Sequence, residues 1–336
     1  MYSLIKKVVC CPGVSGNEKQ IAALLEKEVA PYVDETYTDA LGNLIAIKYG
    51  NLPDGERKKL LYCGHMDEIG FIVTYIEDNG FIRFAPIGGI NFVAAAFSHV
   101  VFANGEKGIL VPEAGVQASA LAADKCVVDI GASSAKEASR KVKIGDCFSL
   151  AHNLSKLGSN RAVGRPIDDR IGCAIMIETA KRLADNCPHD MYYVFSVQEE
   201  VGCRGARPAG FAIAPDVAIA FDVTGTGDAQ GSKPMAVKLG GGAAIKIKDG
   251  SVICSGEVVA KLQKLAKENK ITSQNEILLY GGTDTSVLQA AGIGAYAGCI
   301  SIPSRYIHSG VEMIDLRDVD ACTDLATAFA LDPALQ

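Results

Sequence analysis

Five places in the sequence set acidic or imidazole side chains where an apolar run stops or a helix opens: His65 with Asp67, Asp168 with Asp169, Glu199 with Glu200, Asp222, and His308. Imidazole and carboxylate are the donors that borderline-to-hard divalent cations take. Two such ions sit roughly 3.5–4 Å apart and share about five or six protein ligands, one carboxylate bridging them. His65, Asp168, Glu200, Asp222 and His308 meet that demand and leave Asp67 and Glu199 over. A carboxylate beside an ion-activated water is what a hydrolase needs as general base, since the ions lower that water's pKa from about 15.7 to ~7. The expected chemistry is metal-assisted hydrolysis.

Each member also has a plainer reading. Asp168-Asp169 precedes a helical pattern, so one serves as N-cap and the other as ligand, and spacing does not say which. If the strand before them persists, Glu199 and Glu200 point to opposite sides. His308 reads equally well as a loop residue. His99, His152 and His189 read as residues without chemistry. The recurrence carries the metal reading, and no single residue does.

Strand ends and helix starts must position these groups. Val194-Phe195-Ser196-Val197 is a short apolar run stopping at the Glu pair, as a buried strand of a parallel sheet does. Lys59–Cys63 runs into Gly64-His65, Val217–Phe221 into Asp222, and Leu44–Lys48 and Gly294–Ile300 read as further strands. Open α/β sheets hold their chemistry at such carboxyl ends. Helical spacing follows Ser15-Gly16-Asn17-Glu18, which reads as a capping box, and recurs through Cys173–Ala184, Val258–Ala266 and Asp318–Ala330. From Glu68 to Ser159 the texture changes to short β-branched runs between Gly, Asn and Asp turns, which suggests a small β-barrel or sandwich. The predicted organisation is an α/β domain, residues 1–67 and 160–336, interrupted by a β-rich domain over 68–159.

Composition narrows the partners. A net charge of −6 without a basic run argues against nucleic acid. No apolar stretch reaches membrane-span length, and Met1–Lys7 lacks a signal-peptide pattern, so a cytoplasmic location without membrane attachment is expected. Eleven scattered cysteines, with no Cys-x-x-Cys, read as reduced thiols.

Assembled in order, the motifs give the chain its resemblance. They are Pro12-Gly13-Val14-Ser15-Gly16, Leu41-Gly42-Asn43-Leu44, Gly64-His65-Met66-Asp67-Glu68-Ile69-Gly70, Asp129–Ser134, Asp168-Asp169-Arg170, Glu199-Glu200-Val201-Gly202, Gly281-Gly282-Thr283-Asp284 and Ile302–Ser309. The chain resembles the co-catalytic metalloaminopeptidases that include glutamyl and deblocking aminopeptidases, the TET peptidases, which are often labelled endoglucanases. The resemblance implies a zinc-peptidase-like α/β fold: a mostly parallel sheet flanked by helices, with an inserted PDZ-like β-barrel used in assembly. It implies that Asp168 bridges two divalent ions, with Glu200 and His308 completing one site and His65 and Asp222 the other. Zinc is foremost, and cobalt or manganese also suit the set. Glu199 would be the general base, and Asp67 would orient His65. The implied activity is removal of amino-terminal residues from peptides by a hydroxide held between the ions. Gly282, Thr283 and Asp284 are candidates for the side-chain pocket, with a tight turn before a helix as the other reading. The resemblance further implies a homo-oligomer, in the family often a tetrahedral dodecamer. The insert departs from the family pattern, being shorter between Gly88-Gly89-Ile90-Asn91 and Asp129. Two rival functions stand beside this one. A glycoside hydrolase would use the Glu pair, but would need carboxyls about 5–9.5 Å apart and usually aromatic platforms, and the chain has no Trp. A catalytically inert assembly protein would have no use for both leftover carboxylates.

Overall fold

The computed structural model describes residues 1–334. Its strands are β1 Glu35–Thr38, β2 Leu44–Lys48, β3 Lys59–His65, β4 Gly70–Ile76, β5 Ile82–Ile87, β6 His99–Phe102, β7 Lys107–Pro112, β8 Cys126–Asp129 and β9 Cys147–Leu150. They continue as β10 Asn153–Leu157, β11 Arg161–Arg165, β12 Asp190–Ser196, β13 Val217–Thr224, β14 Ala243–Lys248, β15 Ser273–Ile277, β16 Tyr296–Arg305 and β17 Glu312–Asp315.

Eleven strands form one sheet in the order β1-β2-β12-β3-β13-β16-β17-β11-β10, with β14 and β15 attached beside β16. The expectation of a mostly parallel sheet is corrected here, because the sheet is mixed. Only β12, β3, β13 and β16 run parallel in its centre, and β14 with β15 beside it; the other six pairings are antiparallel. Hairpin returns such as β1–β2 and β10–β11 build the flanks, whereas the centre is joined by helical crossovers, which is what parallel pairing requires.

The central strands read as continuous apolar runs because helices cover both faces. Alternation sorts their side chains. Leu60 and Tyr62 of β3 join Val217, Ile219 and Phe221 under the helices Tyr2–Val9, Lys19–Val29, Arg170–Leu183, Gly256–Glu268 and Leu316–Leu331. Leu61, Cys63, Val194 and Ala218 face Ala206, Ala209, Val287 and Leu288 of the helices Ala206–Ile213 and Thr285–Gln289. Helix Arg170–Leu183 is buried at eleven of its fourteen residues. It lies against β3 and β13, so its first residues are fixed at the same rim as the ends of those strands.

β4, β5, β8, β7, β6 and β9 close into a separate antiparallel barrel. Phe148 fills its centre, with ring centroids 5.0 Å from Phe71, 5.6 Å from Phe84 and 4.7 Å from Phe102. Among the described residues no helix is long and apolar enough to cross a membrane.

Candidate metal centre

The rim is set by register. Ser196 of β12 pairs with His65 of β3, and Ala220 of β13 pairs with Cys63, so Asp222 stands level with His65. β13 runs through Asp222 to Thr224 instead of stopping at it, and β12 stops at Ser196, leaving Glu199 and Glu200 in a turn where Gln198 has φ 56°. Asp168 lies just before helix Arg170–Leu183, and His308, with φ 62°, follows β16.

Long loops and crossovers bring these residues to one place. Ligand atoms of His65, Asp168 and Asp222 lie within 4.8 Å of one another, and so do those of Asp168, Glu200 and His308. Asp168 belongs to both groups and turns a different oxygen to each. His65 Nε2 is 3.1 Å from its Oδ1, and His308 Nε2 is 3.3 Å from its Oδ2 and 3.2 Å from Glu200 Oε2. Glu199 Oε2 stands 4.0 Å from His65 Nε2. Asp169 takes the other part of its pair: its Oδ1 accepts the Gly172 N–H at 3.0 Å as the helix N-cap.

The electrostatics call for a cation. Burial drives the Glu199 carboxyl well above its ordinary value, opposed by His65. Burial and then the Asp168 charge do the same to Asp222. Burial pulls the imidazoles down, but the carboxylates outweigh it, holding His65 well above its usual value and His308 up at about 11. These shifts share one cause, negative charge crowded into a buried site, which a cation would relieve. The carboxylate and imidazole donors, mostly buried and grouped in two triplets, fit divalent cations.

A second layer holds this set in place. Asp67 is fully buried; its Oδ1 accepts the Glu199 N–H at 3.0 Å, and its Oδ2 accepts the Ser15 hydroxyl at 2.6 Å and the Glu200 N–H at 3.3 Å. His65 Nδ1 is 3.5 Å from Asp67 Oδ1 and 3.2 Å from the Asp67 carbonyl. Ser15 and Glu18 therefore do not form the capping box expected of them. Ser15 is drawn to Asp67, and Glu18 accepts the N–H groups of Gly16 at 2.7 Å and Gln198 at 3.2 Å. Helix Lys19–Val29 begins without a side-chain cap.

Sequence reasoning passed over two further anchors. Glu312 Oε2 accepts the N–H groups of Ile167 at 2.5 Å and Asp168 at 3.1 Å, and Oε1 accepts that of His308 at 3.0 Å. Burial, then the Asp168 charge, pushes its carboxyl up to about 7. Glu68 is buried among His152 (2.8 Å), Arg165 (3.6 Å) and Arg170 (3.7 Å). Burial opposes its ionisation, but His152 and the two guanidinium groups hold it down at about 2. The one available signal was the pair of arginines flanking Asp168-Asp169.

The cluster floors an open cavity of about 810 Å³. Gly282 and Thr283 line it with Ile277, Leu279, Tyr280 and Ile307. Asp284 does not face the cavity; it is buried behind the rim, where its Oδ2 accepts the Ser196 hydroxyl at 2.6 Å.

Comparison with known proteins bears on this geometry. A family model described as M42 glutamyl aminopeptidase matches residues 42–325. The chain is 36% identical to a lysyl aminopeptidase of Pyrococcus furiosus over 348 residues, 98% of this chain and 96% of that protein. It superposes on an aminopeptidase of the archaeon Desulfurococcus kamchatkensis with a TM-score of 0.94 and 34% identity, covering 99% and 94% of the two chains. The Pyrococcus horikoshii TET1 peptidase, which assembles into a tetrahedron or a large octahedral shell, matches with a TM-score of 0.87 and 32% identity over 98% and 99%.

Proposed function

The chain belongs to the M42 glutamyl aminopeptidase family, and from that premise we propose that it removes amino-terminal residues from peptides with the help of two divalent ions. The observation that carries the reading is Asp168, whose two oxygens face different ligand groups. Asp168, Glu200 and His308 would hold one ion, and Asp168, His65 and Asp222 the other, with zinc foremost and cobalt or manganese also suited. Bound ions would supply Lewis acidity and a water of lowered pKa.

The protein's own groups do the rest. Glu199 accepts the proton of the attacking water and passes it to the leaving amine, a task suited to a carboxyl whose burial raises its affinity for protons. Asp67 fixes the Glu199–Glu200 turn through both backbone N–H groups and holds His65 from behind. Gly282 and Thr283 border the side chain of the first residue, leaving room beside Tyr280 and Ile307. The barrel, within the 68–159 segment, is the PDZ-like insert. It serves assembly of the catalytic domain, 1–67 and 160–336 with β10 of the main sheet added to it, into a homo-oligomer, with the tetrahedral shell of the horikoshii peptidase as the pattern. Free cysteines suit a reducing compartment such as the cytoplasm.

Aminoacyl-p-nitroanilides and soluble glucan, each assayed with and without chelator, test the activity: chelator-sensitive release of nitroaniline and no glucan hydrolysis are expected. Glu199→Gln should keep its metal and lose about 10²–10⁴ in kcat. Near-normal turnover by that variant removes Glu199 as the base.

A further inference from the structure

A third cluster at the same rim shares Glu199 with the paired-ion reading, which leaves Cys203 and Asp284 without a part. One carboxylate oxygen of Glu199, one of Asp284 and the Cys203 sulfur lie within 4.8 Å of one another. Cys203 Sγ donates to Glu199 Oε1 at 3.3 Å, while the other oxygen of that carboxylate is the one nearer His65. Asp284 is 3% exposed, and its Oδ2 accepts from Ser196 Oγ at 2.6 Å and Cys63 Sγ at 3.3 Å. Its Oδ1 has no hydrogen-bond partner. A buried carboxylate oxygen left unpaired is unfavourable, and a water or a cation is the partner such an atom takes. Cys203 is half-buried and borders the main cavity, so an ion has a way in.

We propose that Glu199, Cys203 and Asp284 form a third cation site, inhibitory in effect, that takes a thiophilic divalent ion such as zinc or cadmium. The proposal rests on the reading of Glu199 as general base. Two carboxylates and a thiolate select borderline-to-soft ions; magnesium prefers all-oxygen sites. On binding, the Cys203 S–H bond breaks, a sulfur–metal bond forms, and the proton goes to solvent. Burial pushes this thiol up, so its proton leaves only as the ion takes its place. Once Glu199 is held by that ion it cannot accept a proton from water, and hydrolysis stops with the other two ions still in place. Zinc would therefore sustain turnover at low concentration and suppress it in excess.

The test is metal content of the full chain after dialysis against buffered free zinc, measured beside hydrolysis of leucyl-p-nitroanilide. Two ions per subunit are expected at low zinc and three at high zinc, with activity falling as the third enters. Cys203→Ser, and Cys203→Ala as a second variant, should stop at two ions and lose the inhibition, each normalised to its own rate at low zinc. With cadmium as probe, the third equivalent should raise a thiolate-to-metal charge-transfer band in the ultraviolet, absent from both variants, since the first two sites contain no sulfur. The proposal is overturned if the native chain stops at two ions, if the third binds without inhibition, or if the variants bind it equally well. Fewer than two ions at every zinc concentration would overturn the paired-ion reading as well, and the count tells the two failures apart.

Discussion

Asp67→Asn probes the layer that holds the ligands. Two oxygens of Asp67 take three donors, at 2.6 Å (Ser15 Oγ), 3.0 Å (Glu199 N) and 3.3 Å (Glu200 N), in a fully buried site. An amide keeps one of those oxygens and puts an NH2 in place of the other. With the NH2 at the Oδ2 position, the Ser15 hydroxyl can rotate to accept, but the Glu200 N–H faces a donor. With the NH2 at the Oδ1 position, the Glu199 N–H meets the same fate. Either way one backbone donor of the Glu199–Glu200 turn is stranded, at a cost of about 1–3 kcal/mol. At about 1.4 kcal/mol per decade that is roughly 5- to 150-fold, in keeping with the ~10–100-fold typical of groups behind metal ligands. Competition with a chromophoric chelator gives metal affinity, nitroanilide hydrolysis at saturating metal gives kcat/KM, and urea unfolding reports stability. Metal affinity or kcat/KM should fall by one to two decades. Ser15→Ala should fall less, since both backbone bonds survive. If Asp67→Asn leaves both quantities within about threefold of the native protein, the positioning role is wrong.

Acid stability of the metal-free protein should carry the mark of Glu68. Its folded value of about 2 lies below its ordinary 4.5, so the stabilisation is complete above pH 4.5 and is lost as pH falls toward 2. The difference amounts to about 3 kcal/mol, and Glu68→Gln should flatten the unfolding free energy across that window. Glu312→Gln, which disturbs the acceptor shared by Asp168 and His308, should weaken metal binding by about 10–100-fold in the same chelator competition. Phe148→Ala opens a cavity among three rings in the barrel, Phe71, Phe84 and Phe102, and should cost about 3–5 kcal/mol by chemical denaturation, with metal affinity per folded subunit unchanged. Chelator-stripped protein should unfold at lower temperature than metal-loaded protein by calorimetry, because ions that bind only the folded chain stabilise it by about 2.7 kcal/mol at 100 times their Kd.

Much of this molecule is written in local pattern. Buried central strands appear as apolar runs because both faces of the sheet are covered, and helix Arg170–Leu183 and the β-rich segment each show their own period or texture. The acidic and imidazole residues stand out because polar groups abruptly end those runs. Direction of pairing is different: the sheet proved mixed because whether neighbours run parallel depends on which connections fold back beside which strand, and no single segment carries that. Nor could spacing separate Asp168 from Asp169, since both sit at a helix start and only the packed backbone turns one toward His65 and the other toward Gly172. Ser15 and Glu18 show the same limit. Their spacing fits a cap, yet their partners are Asp67, which lies 52 residues from Ser15, and Gln198, which lies 180 from Glu18. Residue types and their periods are set by short-range sterics and burial, so one chain suffices to read them. Which carboxylates share a proton, a turn or an ion is decided by distances that exist only after residues such as His65 and Asp168, 103 apart in the chain, have been brought to 3.1 Å.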